Sequence, residues 1–227
     1  MKQPVVDYRK LRLSNITSPE YKHLLLLLGW VVYFAFYFLT ENLIPAERCH
    51  PMHCFIDDLI PFNEWFVIPY VGWYLLIVVS LGYFLLYNPK NFSRLQTYII
   101  VTQVLAMTAY ILYPSRQDLR PEVLPNDNFP SKIIALLYAF DTNTGVCPSL
   151  HVAYSFGIGS TWMREKSAAW WWKALVWVFV VVICLSTMFI KQHSAMDFFA
   201  ALPVCLIAEW FTFFRKPKIV KKKGTPR

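Results

Sequence analysis

Four apolar stretches, at residues 24–43, 65–87, 95–113 and 168–190, each come close to the ~20 residues that a helix needs to cross the hydrocarbon of a bilayer. A chain of 227 residues that is 56% hydrophobic, 18% aromatic and only 16% charged cannot enclose all of them in one water-soluble core, so the surplus is expected to face lipid. Two shorter stretches, 148–163 and 197–214, begin with polar or ionisable residues. Such ends belong in a wet or protein-lined cavity. Counted as the fourth and sixth spans, they complete an expected all-α bundle of six transmembrane helices. The first stretch follows the polar lead 1–22 and has no small-residue cleavage site, which favours a retained span over a signal peptide.

The formal net charge is +8, and where the charges fall matters more than their sum. Of the 22 Lys and Arg, 17 lie in the N-terminal lead, in two alternate loops and in the tail from Arg215. The intervening loops hold Arg48, Arg116, Arg120, Lys132 and Lys191. This asymmetry predicts cytoplasmic termini in a cell-membrane protein, with the loops 44–64, 114–147 and 191–196 outside. It also reads Lys221, Lys222 and Lys223 as an anchor on anionic lipid headgroups, which leaves nucleic-acid binding the weaker account of the charge. The expected organisation is a cytoplasmic segment 1–22, a six-helix domain 23–214 and a basic cytoplasmic tail 215–227, with no internal repeat or low-complexity linker between them. Between the third and fourth spans, apolar residues at 133, 134, 136, 137 and 140 have the spacing of a helix lying at the membrane interface.

Three polar clusters fall on the expected outer face: Arg116 to Pro121 (RQDLRP), Cys147 to His151 (CPSLH) and Lys191 to Asp197 (KQHSAMD). His193 and Asp197 are one helical turn apart, so the carboxylate can fix the imidazole tautomer and leave the other ring nitrogen free to attack. Pro148 suits the first turn of a helix, where Ser149, Leu150 and His151 would direct free N–H groups at an anion. His151 would then stand where it can protonate a leaving oxygen, and Arg120 offers a planar guanidinium for phosphate oxygens. A polar helix cap at a membrane boundary accounts for either histidine taken singly. Ionisable groups near a membrane are costly, and three such clusters at one face favour chemistry.

In this order the clusters resemble the three signature motifs of the type 2 phosphatidic acid phosphatase superfamily, K-x-x-x-x-x-x-R-P, P-S-G-H and S-R-x-x-x-x-x-H-x-x-x-D, over about residues 95–214. Arg120 and Pro121 match the first motif, Pro148, Ser149 and His151 the second, and Ser186, His193 and Asp197 the third. The resemblance implies His193 as nucleophile, Asp197 as its orienting partner and His151 as acid and base, with Arg120 and Ser149 on the substrate phosphate and no metal or other cofactor. Tyr113, Leu150 and Thr187 stand where the motifs have lysine, glycine and arginine, and Arg116 and Lys191 are the expected replacements for the two missing cations. The pattern C-P-S-L-H, with no arginine ahead of Q-H-x-x-x-D, is nearest to the branch containing inositol phosphorylceramide synthase and sphingomyelin synthase.

Three functions follow as expectations: a phosphatase of lipid phosphates or isoprenoid diphosphates, a lipid headgroup transferase, and a non-catalytic membrane scaffold or transport subunit. Cys49 and Cys54 flank two histidines in a spacing that fits no standard zinc pattern, so a disulfide or a pair of free thiols is the stronger expectation there. Glu209, inside the last stretch, is expected to pair with Arg215 or Lys216 or to snorkel.

Overall fold

The computed structural model describes residues 3–215, so Lys2 and the tail from 216 onward, including Lys221 to Lys223, lie outside the described residues. The fold is all-α apart from one pair of two-residue strands. Among the described residues eight α-helices follow in order: α1 Leu28–Leu43, α2 Phe55–Leu59, α3 Val67–Tyr87, α4 Pro89–Leu112, α5 Phe129–Phe140, α6 Leu150–Met163, α7 Trp170–Phe189 and α8 Ala195–Glu209. Short 3-10 turns lead into α1 (Lys22–Leu27) and α3 (Glu64–Phe66), and α8 runs on as a π-helical turn, Trp210–Phe214. With these extensions five helices among the described residues, containing α1, α3, α4, α7 and α8, are long and apolar enough to cross a membrane. That pattern is consistent with a polytopic membrane protein. The remaining expected span, at 148–163, is the shorter helix α6.

Apolar surface is distributed as a lipid-facing bundle requires. Val31, Phe34, Phe38, Leu75, Val78 and Leu206 are each more than half exposed, a pattern that would drive a water-soluble chain to aggregate. α6 has the opposite character and packs against α7, α4, α8 and α3. Ten of its residues are buried on all sides, so it has no polar face to show and sits at the centre of the bundle. Small residues allow the close approach: a Cβ built on Gly157 would stand 2.4 Å from the Tyr98 ring of α4, and one on Gly159 would stand 3.1 Å from Trp177 of α7.

Polar caps fix the helix ends. Asn88 accepts from the Asn91 N–H at 3.1 Å ahead of α4, with Pro89 in the first turn, and Asn128 does the same for α5 through Ser131 at 3.0 Å. Asn88 and Asn91 also donate to Glu165 at 2.7 and 3.0 Å, tying the α3–α4 turn to the α6–α7 loop. At that same end Glu209 pairs with Arg164 at 2.6 Å and accepts from the Ser160 hydroxyl, whereas the Arg215 guanidinium lies over the Phe211 ring. Among the described residues the partner of Glu209 is thus Arg164 and not Arg215, and Lys216 lies outside them. A residue 45 positions away in sequence wins because α6 and α8 run side by side.

The opposite end is capped by loops. Strand β1 (His50–Pro51) pairs in parallel with β2 (Ser115–Arg116), and Thr144 bridges to Arg116. Cys49 and Cys54 are free thiols: Cys49 donates to the Pro45 carbonyl, and Cys54 precedes α2 as its cap. His50 stacks on Tyr113, and His53 pairs with Asp58. Among the described residues no three His, Cys, Asp or Glu side chains gather as a metal site.

Substituting Gly157→Ala forces a methyl into the Tyr98 ring, whereas Gly72→Ala meets nothing within 4 Å. Overpacking of this kind costs about 1–3 kcal/mol. Thermal unfolding in detergent should therefore show a clear fall in Tm for Gly157→Ala and none for Gly72→Ala.

Candidate active site

The turn between α7 and α8 is built by backbone hydrogen bonding before any side chain is considered. Lys191 takes a left-handed conformation, φ 53°, that ends α7 and reverses the chain. The N–H groups of Gln192 and His193 both donate to the Thr187 carbonyl at 3.0 Å, which fixes where the His193 side chain leaves the backbone. Ser194 then caps α8, and Asp197 completes a capping box by accepting from the Ser194 N–H at 3.0 Å. The same Asp197 oxygen lies 3.1 Å from His193 Nδ1. With Nδ1 so engaged, Nε2 is the ring nitrogen left for chemistry.

His151 enters from the first turn of α6. Its ring packs against Tyr70 and Trp73 of α3 at 4.4 and 4.0 Å between centroids and meets the His193 ring edge-on at 5.6 Å. Its Nε2 is buried without a hydrogen-bond partner among the described residues. Both imidazoles line one cavity of about 560 Å³. From the histidines the cavity runs between α1 and α3, where Trp30, Tyr33 and Tyr37 face Trp73, Ile77 and Leu81. The positions spaced over 73–81 extend about 12 Å along the helix axis. Phe34, Tyr74 and Val78 belong to the lining and are more than half exposed, so the cavity opens sideways at the bundle surface between α1 and α3.

The other expected site residues fall differently. Ser149 is fully buried: its N–H donates to the Asp197 carbonyl and its hydroxyl faces the Val152 N–H as the cap of α6. Pro148 therefore precedes the helix instead of occupying its first turn, and the N–H groups that lack an intrahelical acceptor belong to Leu150 and His151. The Arg120 guanidinium is stacked on Tyr138 at 4.5 Å and donates to Gln192 Oε1 and to the carbonyls of Asp141 and Thr142. It stands behind the cavity wall, since Gln192 and Asp141 line the cavity and Arg120 does not.

Arg116 and Lys191, the expected replacements for the missing cations, do not line the cavity. Arg116 is held by Asp118 and the Ala46 carbonyl in the loops that cap this end of the bundle. Lys191 donates to the carbonyls of Asp57 and Ile60 at 2.9 and 2.6 Å, so its charge fastens the loop between α1 and α3 to the turn that its own backbone makes.

Three neighbours of the histidines were not legible as such in the sequence. Asp141, at the end of α5, lines the cavity and accepts from Gln192; burial pushes its carboxyl up while His193 and Arg120 pull it back down. Asp57 of α2 accepts from the Ser194 hydroxyl at 2.6 Å, the Ala195 N–H at 2.7 Å and the Cys54 N–H at 2.8 Å. Cys147 lies close to Asp197, and burial together with that carboxylate pushes its thiol up to about 12, so no thiolate competes with the imidazoles at neutral pH.

Burial pushes the Asp57 carboxyl upward, but the donors from Ser194, Ala195 and Cys54 outweigh it and hold it below the ordinary carboxylate range. A group whose native value is depressed adds stability that is complete above its unfolded value of about 3.9 and is lost as pH falls through the native value. The Tm difference between wild type and Asp57→Asn should be full at pH 6 and should shrink below about pH 4. A difference that is constant down to pH 3 would contradict this. No family model matches the chain, and no curated protein or solved structure matches it.

Proposed function

We propose that the chain is a membrane-embedded enzyme that hydrolyses lipid phosphates or isoprenoid diphosphates through a phosphohistidine. The observation that carries it is the meeting of two imidazoles, 5.6 Å apart, at the head of one cavity whose body is an apolar groove open to the side. One imidazole is backed by a buried carboxylate, the pairing that activates a nitrogen nucleophile. The order and spacing of these residues are those of the superfamily resemblance given above.

In the first half, His193 Nε2 attacks phosphorus, a P–N bond forms, the P–O bond to the lipid breaks, and His151 delivers a proton to the departing oxygen. In the second half, His151 takes a proton from water, whose oxygen attacks phosphorus as the P–N bond breaks. Arg120 lends positive potential from behind Gln192, and the first-turn N–H groups of α6 face the developing charge. In this reading α6 is the fourth of six spans. It is short because protein surrounds it, so it need not match the full hydrocarbon thickness. Both termini are cytoplasmic, the histidines face outward, and the lipid portion of the substrate lies between α1 and α3.

A second reading, transfer of a lipid headgroup to an alcohol, is favoured by the charge of the cavity. Among the described residues no lysine or arginine lines it, and Asp141 does. A phosphodiester monoanion suits such a wall better than a phosphomonoester dianion. The acceptor in the second half would then be a lipid hydroxyl in place of water.

The test is an assay of purified protein in detergent, with divalent metal removed, on a panel of ³²P-labelled lipid phosphates and phosphodiesters with and without added alcohol. Phosphate release marks the first reading, and an alcohol-dependent lipid product marks the second. His193→Ala should lose both turnover and acid-labile protein labelling, and His151→Gln should slow turnover by roughly 10²–10⁴-fold. Transfer from no member of the panel, or turnover in His193→Ala within tenfold of wild type, would sink the proposal and leave a non-catalytic membrane role.

A further inference from the structure

Asp57 belongs to the first outer loop, 137 positions from Ser194, yet its carboxylate is 3% exposed and spent almost wholly on the α7–α8 turn. One of its oxygens takes the Ser194 hydroxyl and the other the Ala195 N–H, both at the start of α8. Ser194 is the link that matters. Its N–H donates to the same Asp197 oxygen that faces His193 Nδ1, so a continuous run of hydrogen bonds joins Asp57, Ser194, Asp197 and His193. Ser194 and Asp197 are fully buried, and no water competes for these groups. The loop cannot drift, because Lys191 grips the carbonyls of Asp57 and Ile60 from within the turn itself.

We infer that Asp57 is a positioning residue of the proposed phosphoryl transfer: acting through Ser194 and Asp197, it sets the direction in which His193 presents its attacking nitrogen. The inference rests on the phosphohistidine reading and adds to it a residue outside the region of motif resemblance. Asp57 does not line the cavity and touches no reacting atom. Without it the Ser194 hydroxyl and the Ala195 N–H lose their buried acceptor, the cap relaxes, and the Ser194 N–H that orients Asp197 shifts with the backbone that carries it. A misplacement near 1 Å at a reacting group costs roughly 10²-fold in rate.

Glu64 provides the control. It is a second buried carboxylate of the same loop and accepts from Asn126 and Asn128, so it staples the outer cap with no link to Ser194. The experiment follows phosphohistidine formation in single-turnover mixtures of labelled substrate with wild type, Asp57→Asn, Ser194→Ala, the double variant and Glu64→Gln. Label amplitude gives the active fraction, and the rate constant is read per labelled site.

Asp57→Asn should slow that rate constant by about 10²-fold, with substrate KM within twofold of wild type. The double variant should be no slower than the slower single variant, because both remove one link. Glu64→Gln should lower amplitude or Tm and leave the rate constant unchanged. Should Asp57→Asn not accumulate, Ser194→Ala breaks the same run from its other side and must show the same loss. A wild-type protein that labels through His193, with Asp57→Asn and Ser194→Ala at wild-type rate constants, would overturn this inference and leave the proposed function standing. A wild-type protein that never labels would remove both.

Discussion

A helix that begins inside an apolar bundle presents N–H groups that no water can reach, and each one left bare costs free energy on the scale of a lost hydrogen bond. At the start of α8 the chain answers this with two carboxylates, Asp197 from within the helix and Asp57 from a loop far away in sequence. Much of the architecture at this end of the bundle follows from meeting that demand. The loop between α1 and α3 has to fold back across the bundle to bring Asp57 in, and Lys191, in a left-handed backbone, holds the loop there. Because Asp197 faces the Ser194 N–H, His193 on the same turn is held by the oxygen that caps the helix. One set of bonds therefore serves as helix cap, loop anchor and support for an imidazole.

The second imidazole is placed by packing. α6 is hemmed in by four helices, and the glycines at 157 and 159 let α4 and α7 close upon it, so its height in the bundle is set by steric contact along its length. His151, in its first turn, inherits that fixed height, and the rings of Tyr70 and Trp73 hold it laterally. The two histidines thus meet through independent constraints, one of hydrogen bonds and one of shape.

The long apolar helices were legible because their length and composition are local properties: four of the expected stretches match α1, α3, α4 and α7 to within a few residues apart from the earlier start of α4 at Pro89. The His193–Asp197 contact was legible from its four-residue spacing, although His193 stands just ahead of the cap Ser194 and meets the carboxylate that completes the capping box. What was not legible depends on loops crossing the end of the bundle. Arg116 and Lys191 looked like spare cations because proximity along the chain says nothing about which carbonyls a folded loop will offer them. Asp57 carried no signal of a link to His193, for its spacing marks only a local cap at Cys54, and Ser194 and Ala195 are more than a hundred positions away. Pro148 and Ser149 were displaced by one small shift: the helix starts after them, so Ser149 became a cap and turned inward.

α1 packs chiefly against α4 and its own leading turn, and much of its remaining surface is exposed, with Phe34 on the side that faces the groove toward α3. On the function proposed above, a ligand that comes in along that groove arrives by partition within the lipid phase and not by diffusion through water. The quantity that governs occupancy is then its mole fraction among neighbouring lipids. Detergent added to purify such a protein dilutes a ligand in two dimensions even when its bulk molarity is unchanged, and affinities compared across micelles, nanodiscs and native bilayers acquire a common scale only in surface units.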